Sequence, residues 1–416
     1  MEEWARFARP NEQGFEKKNE VAAADYGRGA EMKAKLLKVM VVGFLGWSLP
    51  KLEASSHELV AHEWGTFTSI AGVDSQALEW TPYRGGAELP QFVYGGKHNA
   101  RGTVRMETPV IYFYTPKELT CTVKVSFLQG EITEYYPMPD RLVYPLKTVQ
   151  WNGVELLPGR AVNLPLEKDP NHYYQARATD SVPLRVWRGN VIDEYEKFLF
   201  YRGVGSFAMP LSVEANADKV ELRQAVPPGI EEVILFEKRK DRTGCLRVGF
   251  RSSSAEVDRY LPDCSLESLK QDLEMLLVNH GLYKKEAKAM VRTWEDSWFE
   301  EGFRVFYVLP RHRSDAILPL EITPKPNKLV RVLVGRMEVM TRDDAEQMFE
   351  LLSRLKNAPG TQDAEVPIAR KRYGRFLAPM IRSVLEKQPS LWDPALARPL
   401  ESLGVPVPSG GRAQAN

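Results

Sequence analysis

From Leu59 to about Asp263 the chain is cut into short apolar or alternating runs by glycine and proline, and that rhythm leaves few folds open. Cys121 to Phe127 reads Cys-Thr-Val-Lys-Val-Ser-Phe, a period of two that buries one face of a strand. Pro109 to Tyr114 is a continuous apolar and aromatic run. Lys219–Leu222, Glu232–Phe236 and Cys245–Phe250 follow in the same style. Turns are marked by Gln129-Gly130, Asn152-Gly153, Pro158-Gly159 and Pro227-Pro228-Gly229. No strand–helix–strand unit, glycine-rich phosphate loop or Gly-x-Ser-x-Gly elbow interrupts them. The expected fold is α+β: mainly an antiparallel β-sandwich, with helices added later in the chain.

Those helices announce themselves by a change of period. Ser265 is an N-cap, and Leu269, Leu273, Leu276 and Leu277 recur at helical spacing until Gly281. A second helix is expected from about Tyr283 to Glu301, with Met290, Val291, Trp294 and Trp298 on one stripe. Residues 264–302 thus read as a helical hairpin. Residues 303–340 return as strands, which pack with the earlier sheet because two or three strands alone are marginal. Arg311-His312-Arg313-Ser314-Asp315 reads as a polar loop between them. Thr341 and Asp344 open a capped helix, and a further helix from about Pro367 to Lys387 is expected to kink at Pro379. The C-terminal helices span 341–390, and the Pro/Gly/Ser-rich tail at 404–416 reads as disordered.

The beginning of the chain reads as an address. Residues 1–31 are polar and read as an upstream extension, with Met32 as the initiator. Lys33, Lys35 and Lys38 then precede the apolar run Val39–Leu49, and Ala54-Ser55-Ser56 supplies small residues for cleavage. Residues 32–56 are therefore expected to be a signal peptide. The apolar run is shorter than the ~20 residues that span a bilayer, so no transmembrane anchor is expected in the mature chain. The expected location is periplasmic or secreted. With 3 cysteines, such a chain does not depend on disulfides, although Cys245 and Cys264 are placed to pair. A net charge of +1 provides no field for nucleic acid.

Chemistry-bearing residues gather in three stretches. His62-Glu63-Trp64-Gly65-Thr66-Phe67-Thr68-Ser69 opens the mature domain as a strand, with His62, Trp64 and Thr66 on one face and Glu63 and Phe67 on the other. His57 and His62 are five apart, which rules out a His-Glu-x-x-His zinc helix. Arg105 and Glu107 share a strand face and form either a ligand clamp or a structural ion pair. Glu295, Asp296, Glu300 and Glu301 crowd the expected end of the second helix, where the helix dipole disfavours them. Glu301, beside the Trp294/Trp298 stripe, is a candidate general acid; a solvated face tied to Arg292 or Arg304 is the plainer alternative. The loops at Tyr83–Gly86 and Tyr94–His98, and the Tyr201–Gly205 turn, suit mobile binding loops or ordinary connections.

The octet, the Arg105-Met106-Glu107-Thr108-Pro109-Val110 stretch and the Asp296–Gly302 stretch together resemble a family of exported bacterial proteins bearing a His-Glu-Trp-Gly-Thr-Phe-Thr motif. The resemblance implies export and one shared architecture over most of residues 57–390; that residues 57–263 form its β-rich sandwich is read from the strand pattern. It implies no activity.

Two functions follow from the residues. One is a hydrolase of glycans, with Glu63, Glu107, Glu300 and Glu301 as candidate catalytic carboxylates. His62, Trp64, Arg105, Trp298, Arg311 and His312 are its candidate binding residues. A divalent metal held by His62, Glu63 and Glu107 is a variant of the same idea. The other is a non-catalytic envelope protein that binds carbohydrate or protein through a β-sandwich, for which an exposed line of Trp or Tyr is the expected sign. A purely structural role for the octet is the third possibility.

Overall fold

The chain reaches its final architecture by returning twice to its own first strand. In a computed structural model, the described residues are 58–80, 89–95, 100–189, 192–225, 229–240, 242–357 and 362–405. The expected upstream extension and signal peptide, His57, the Tyr83–Gly86 loop and residues 96–99 lie outside them. So does the expected tail beyond Val405.

In chain order the strands are β1 (Val60–Ala71), β2 (Tyr94–Gly95), β3 (Val104–Tyr114), β4 (Leu119–Ser126), β5 (Gly130–Tyr136), β6 (Arg141–Val143), β7 (Thr148–Leu156), β8 (Leu184–Arg188), β9 (Ile192–Glu196), β10 (Leu199–Gly205), β11 (Leu211–Ala215), β12 (Lys219–Gln224), β13 (Glu232–Arg239), β14 (Arg242–Gly249) and β15 (Ser254–Asp258). Helices α1 (Leu266–Asn279), α2 (Lys284–Thr293) and α3 (Glu295–Trp298) follow. Then come β16 (Gly302–Val308), α4 (Arg311–Ile317), β17 (Leu320–Thr323) and β18 (Lys328–Val339). The chain closes with α5 (Arg342–Asn357), α6 (Gln362–Tyr373), α7 (Leu377–Lys387) and α8 (Ala397–Ser402).

A nine-stranded sheet in the order β14-β13-β16-β18-β1-β3-β10-β5-β2 is the centre. The expected return of the late strands is seen here: β16 pairs with β13 and β18, and β18 lies beside β1. The β1–β18 pair is parallel, while β1–β3, β3–β10 and β13–β16 are antiparallel. One face of this sheet packs on a six-stranded sheet built on β4 and β7 and on the three-stranded β11-β12-β15 sheet. Val123, Val125, Trp151, Val213 and Leu222 meet Phe67, Phe113, Leu235 and Val305 in that core. The other face packs on α1, α2 and α3 through Trp64, Tyr112, Phe236, Leu273, Met290 and Trp298. The helices after β18 cover the far end of β1 through Ile70, Trp80 and Met340.

This double cover explains the burial of β1. An alternating strand normally wets one face, yet from Ala61 to Ala71 every residue of β1 is buried. Trp64 and Phe67 do fall on opposite faces, as the alternation requires. Gly65 is fixed by packing: a Cβ there would stand 2.8 Å from the Cα of Pro109. Opposite it, β3 carries a bulge, since Trp64 pairs with Val110 but Thr66 pairs with Glu107. Thr108 in that bulge has a φ of 49°, a left-handed conformation that a β-branched residue adopts only at a cost.

Several local expectations need correction. The second helix is not continuous to Glu301. It stops at Thr293, whose hydroxyl bonds back to the Ala289 carbonyl at 2.8 Å and loosens the last turn. Glu295 and Asp296 therefore lie in the first turn of α3, where negative charge is favourable, and Glu300 and Glu301 lie beyond it. Arg311–Asp315 is a helix rather than a loop. Tyr201–Gly205 is part of the central strand β10 rather than a turn. The last long helix breaks at Gly374, with φ +50°, and Pro379 sits inside the first turn of α7. Of the expected tail, Val405 is buried and packs with the C-terminal helices. The capping expectations hold: the Ser265 hydroxyl accepts from Ser268 N, and Thr341 and Asp344 cap each other's backbone reciprocally.

Candidate functional site

The helix-covered face of the central sheet is apolar at one end and polar at the other. Its polar end is a stripe across six neighbouring strands, from β16 to β5. Register places Thr66 beside Glu107, Thr68 beside both Arg105 and Arg336, Arg304 beside Glu338, and Arg202 beside Glu134. All of these side chains are buried. Helix α3 brings Ser297 over the stripe, the segment after it brings Glu300, and the break at Gly374 brings Arg375. Aromatic rings wall it in: Arg105 and Arg375 lie over Trp80, and Arg336 lies 4.8 Å from the centre of the Phe376 ring.

Glu107 is the anchor of the stripe. The Thr68 hydroxyl donates to its Oε2 at 2.5 Å, and Arg375 Nη1 donates to its Oε1 at 2.5 Å. Arg105 Nε stands 4.0 Å away. Burial pushes the carboxyl up, but Arg375, Arg105, Arg202 and the Thr68 hydroxyl outweigh it and hold it down at about 2. Glu300, the most open member, accepts from Arg336 Nη2 at 3.0 Å and lies 3.8 Å from Arg375 Nε. Arg375 thus links Glu107 to Glu300. Arg304 completes the arrangement: its Nε donates to Glu338 at 2.9 Å, and its two Nη atoms donate to the carbonyls of Trp298, Glu300 and Glu301.

Guanidinium groups outnumber carboxylates here. Among the described residues the stripe holds Arg105, Arg202, Arg304, Arg336 and Arg375 against Glu107, Glu134, Glu300 and Glu338. Burial first, and then Arg304 and Arg375, push the Arg336 guanidinium down to about 9, so it remains charged at neutral pH.

The sequence candidates do not all converge. Arg105, Glu107, Trp298 and Glu300 come together at the polar stripe, with Trp298 contributing its carbonyl and its ring to the wall. Glu301 does not face the tryptophan stripe as expected; its carboxylate accepts from the Lys240 backbone N–H at 3.2 Å, at the β13–β14 turn. His62 and Trp64 lie on the same sheet face as Glu107 but at the other end. There His62 Nδ1 meets Glu286 at 2.7 Å, and Glu286 also accepts from the Tyr114 hydroxyl and the Tyr283 backbone.

Glu63 is on the opposite face. It takes Arg331 Nε at 2.5 Å and the Tyr201 hydroxyl, and Arg331 continues to Asp315 at 2.7 Å. This overturns the convergence of Glu63 with Glu107 and Glu300, and with it the metal trio of His62, Glu63 and Glu107. Among the described residues no three His, Cys, Asp or Glu side chains gather as a metal site would need. Arg311 and His312 are exposed on α4, where Asp315 pairs with Arg311 and Arg331.

Sequence reasoning missed Arg202, Arg336, Arg375 and Glu286. Arg202 and Arg336 had a readable signal, an arginine inside an otherwise buried strand, which has to be paired or used. Glu286 lies in the first turn of α2 and Arg375 at the break between α6 and α7, and neither carries such a mark.

No family model matches this sequence, and no curated protein does either. Among solved structures, the chain is similar to the Fcho1 Mu homology domain of Danio rerio with bound Eps15 peptide, at 9% identity over 68% of this chain and 97% of that one, with a TM-score of 0.25. It is also similar to a structure from a 1.5-MDa bacterial ice-binding adhesin, at 8% identity over 67% of this chain and 65% of that one, with a TM-score of 0.13. Neither likeness is close enough to bear on fold or activity.

Proposed function

We propose that this chain is an exported, non-catalytic binding protein whose ligand site is the polar stripe on the central sheet. One observation carries the reading: the carboxylates of the stripe are counter-ions. A carboxylate pair that cleaves glycosidic bonds needs one member protonated near neutral pH. Glu107 is held ionised, with its carboxyl at about 2. Glu338, which burial pushes up against the pull of Arg304 and Arg336, is sealed beneath them. The aromatic platform expected of a carbohydrate-binding face does not support the reading, because the exposed Tyr144, Trp187, Tyr260 and Tyr283 lie on separate stretches of the chain. Recognition through arginine takes its place.

Export is part of the proposal. The basic and apolar residues at 32–49 support it, and so does the disulfide between Cys245 and Cys264, a bond suited to an oxidising compartment. No helix among the described residues is long and apolar enough to cross a membrane.

The hydrolase reading keeps one observation in its favour, the two carboxylates Glu107 and Glu300 held by a single guanidinium. A panel of neutral and acidic oligosaccharides separates the two. The binding reading expects saturable retention with no new reducing ends. Release of reducing ends that stops in Glu300→Gln would overturn it in favour of a glycoside hydrolase.

A further inference from the structure

Arg336 has more donors than the protein uses. Its side chain is fully buried, and Nη2 serves the Ser297 carbonyl and Glu300, both at 3.0 Å. Its Nε and Nη1 are buried with no hydrogen-bond partner among the described residues. The Ser297 hydroxyl, on the residue whose carbonyl Arg336 already holds, is likewise buried and unpartnered. So is the Thr66 hydroxyl, on the same sheet face and two residues before Thr68, the cross-strand neighbour of Arg336. A buried donor left unmet costs roughly 1–3 kcal/mol, and more when it is charged. On this part of the sheet face, then, one edge of a guanidinium and two hydroxyls are left without a partner from the described residues. What satisfies all three is a group with several lone pairs and negative charge.

We propose that Arg336, Ser297 and Thr66 form the seat of an oxyanion, a carboxylate or phosphate carried by the ligand of the binding site described above. The inference rests on that reading and names the ligand's class: an acidic molecule rather than a neutral sugar. The surplus of guanidinium over carboxylate on the stripe points the same way, as does the pair of arginines that flank Arg336. Glu300 and Arg375, the only partly exposed members of the stripe's charged set among the described residues, lie on the side from which such a ligand enters.

The test is calorimetric titration and thermal shift of the full chain at fixed ionic strength with three probes: inorganic phosphate, galacturonate and neutral galactose. Saturable binding of phosphate or galacturonate, with none of galactose, is expected. Ser297→Ala, a small change that spares the arginine, is expected to weaken that binding about 10-fold or more, the loss of one hydrogen bond to a charged group. Arg336→Lys keeps a charge but not the guanidinium donors, and is expected to weaken it further. Circular dichroism checks that both variants fold.

A stronger response to galacturonate than to phosphate identifies a sugar acid; the reverse identifies a phosphoryl group. No saturable response to either oxyanion, or equal affinity in wild type and Ser297→Ala, overturns the seat. Galactose binding without oxyanion binding also overturns it but leaves the binding reading intact. Glycan turnover together with oxyanion binding lost in Ser297→Ala would do the opposite, sinking the non-catalytic reading while the seat stands.

Discussion

Gly65 has no room for a side chain, because the β3 bulge pushes Pro109 against it. Gly65→Ala is therefore expected to cost about 1–3 kcal/mol through overpacking, read from the urea midpoint. The same bulge sets Glu107 on the stripe, and its ionisation is testable. Its folded value, about 2, is below its ordinary 4.5, so the stabilisation it gives is complete above the ordinary value and is lost as pH falls towards 2. Wild type is expected to lead Glu107→Gln by about 3 kcal/mol near neutrality, with the lead shrinking between roughly pH 5 and 2. Denaturation of both proteins across that range checks it; a lead independent of pH would contradict the assigned ionisation. At this scale the octet was legible as a strand with His62 and Trp64 on the face away from Phe67. Its partners were not, because Glu286, Arg331 and Glu107 come from elements far along the chain.

Elements place the site by where they stop. The left-handed Gly374 turns the chain between α6 and α7 so that Arg375 reaches Glu107 and Glu300. Gly374→Ala has space for its Cβ but not the conformation, and is expected to cost about 1 kcal/mol. It should also weaken oxyanion binding, since Arg375 moves with the turn. Thr341→Ala removes a reciprocal cap on α5 and is expected to cost about 1 kcal/mol with no effect on binding, which makes it the control. Helix starts were readable because Ser265 and Thr341 act on backbone groups only a few residues away. The interruption at Trp294 was not: the tryptophan stripe continues through it, and the hydroxyl of Thr293 is the sole local hint. Nor was the end of α3 at Trp298, which leaves Glu300 beyond the helix and against Arg336.

Across the whole molecule, the Cys245–Cys264 bond ties β14 of the central sheet to the segment that enters α1. It closes a loop with a sequence separation of 19, so replacing both cysteines by alanine is expected to cost about 3 kcal/mol, read from the denaturant midpoint. If the helical cover loosens with it, oxyanion binding should fall as well, because Ser297 and Glu300 belong to that cover. The sequence by itself determined the strand-rich class, the helical hairpin and the capped helix after Thr341, since periodicity and capping act between residues close in the chain, and the return of the late strands, since two or three strands alone are marginal. Only the tertiary structure decided that β1 would be covered on both faces. It alone placed Glu63 and Glu107 in different networks, with partners Arg331 and Arg375 each 268 residues away. Pairing at that separation is set by how sheets and helices close on one another, and no local pattern records which arginine arrives.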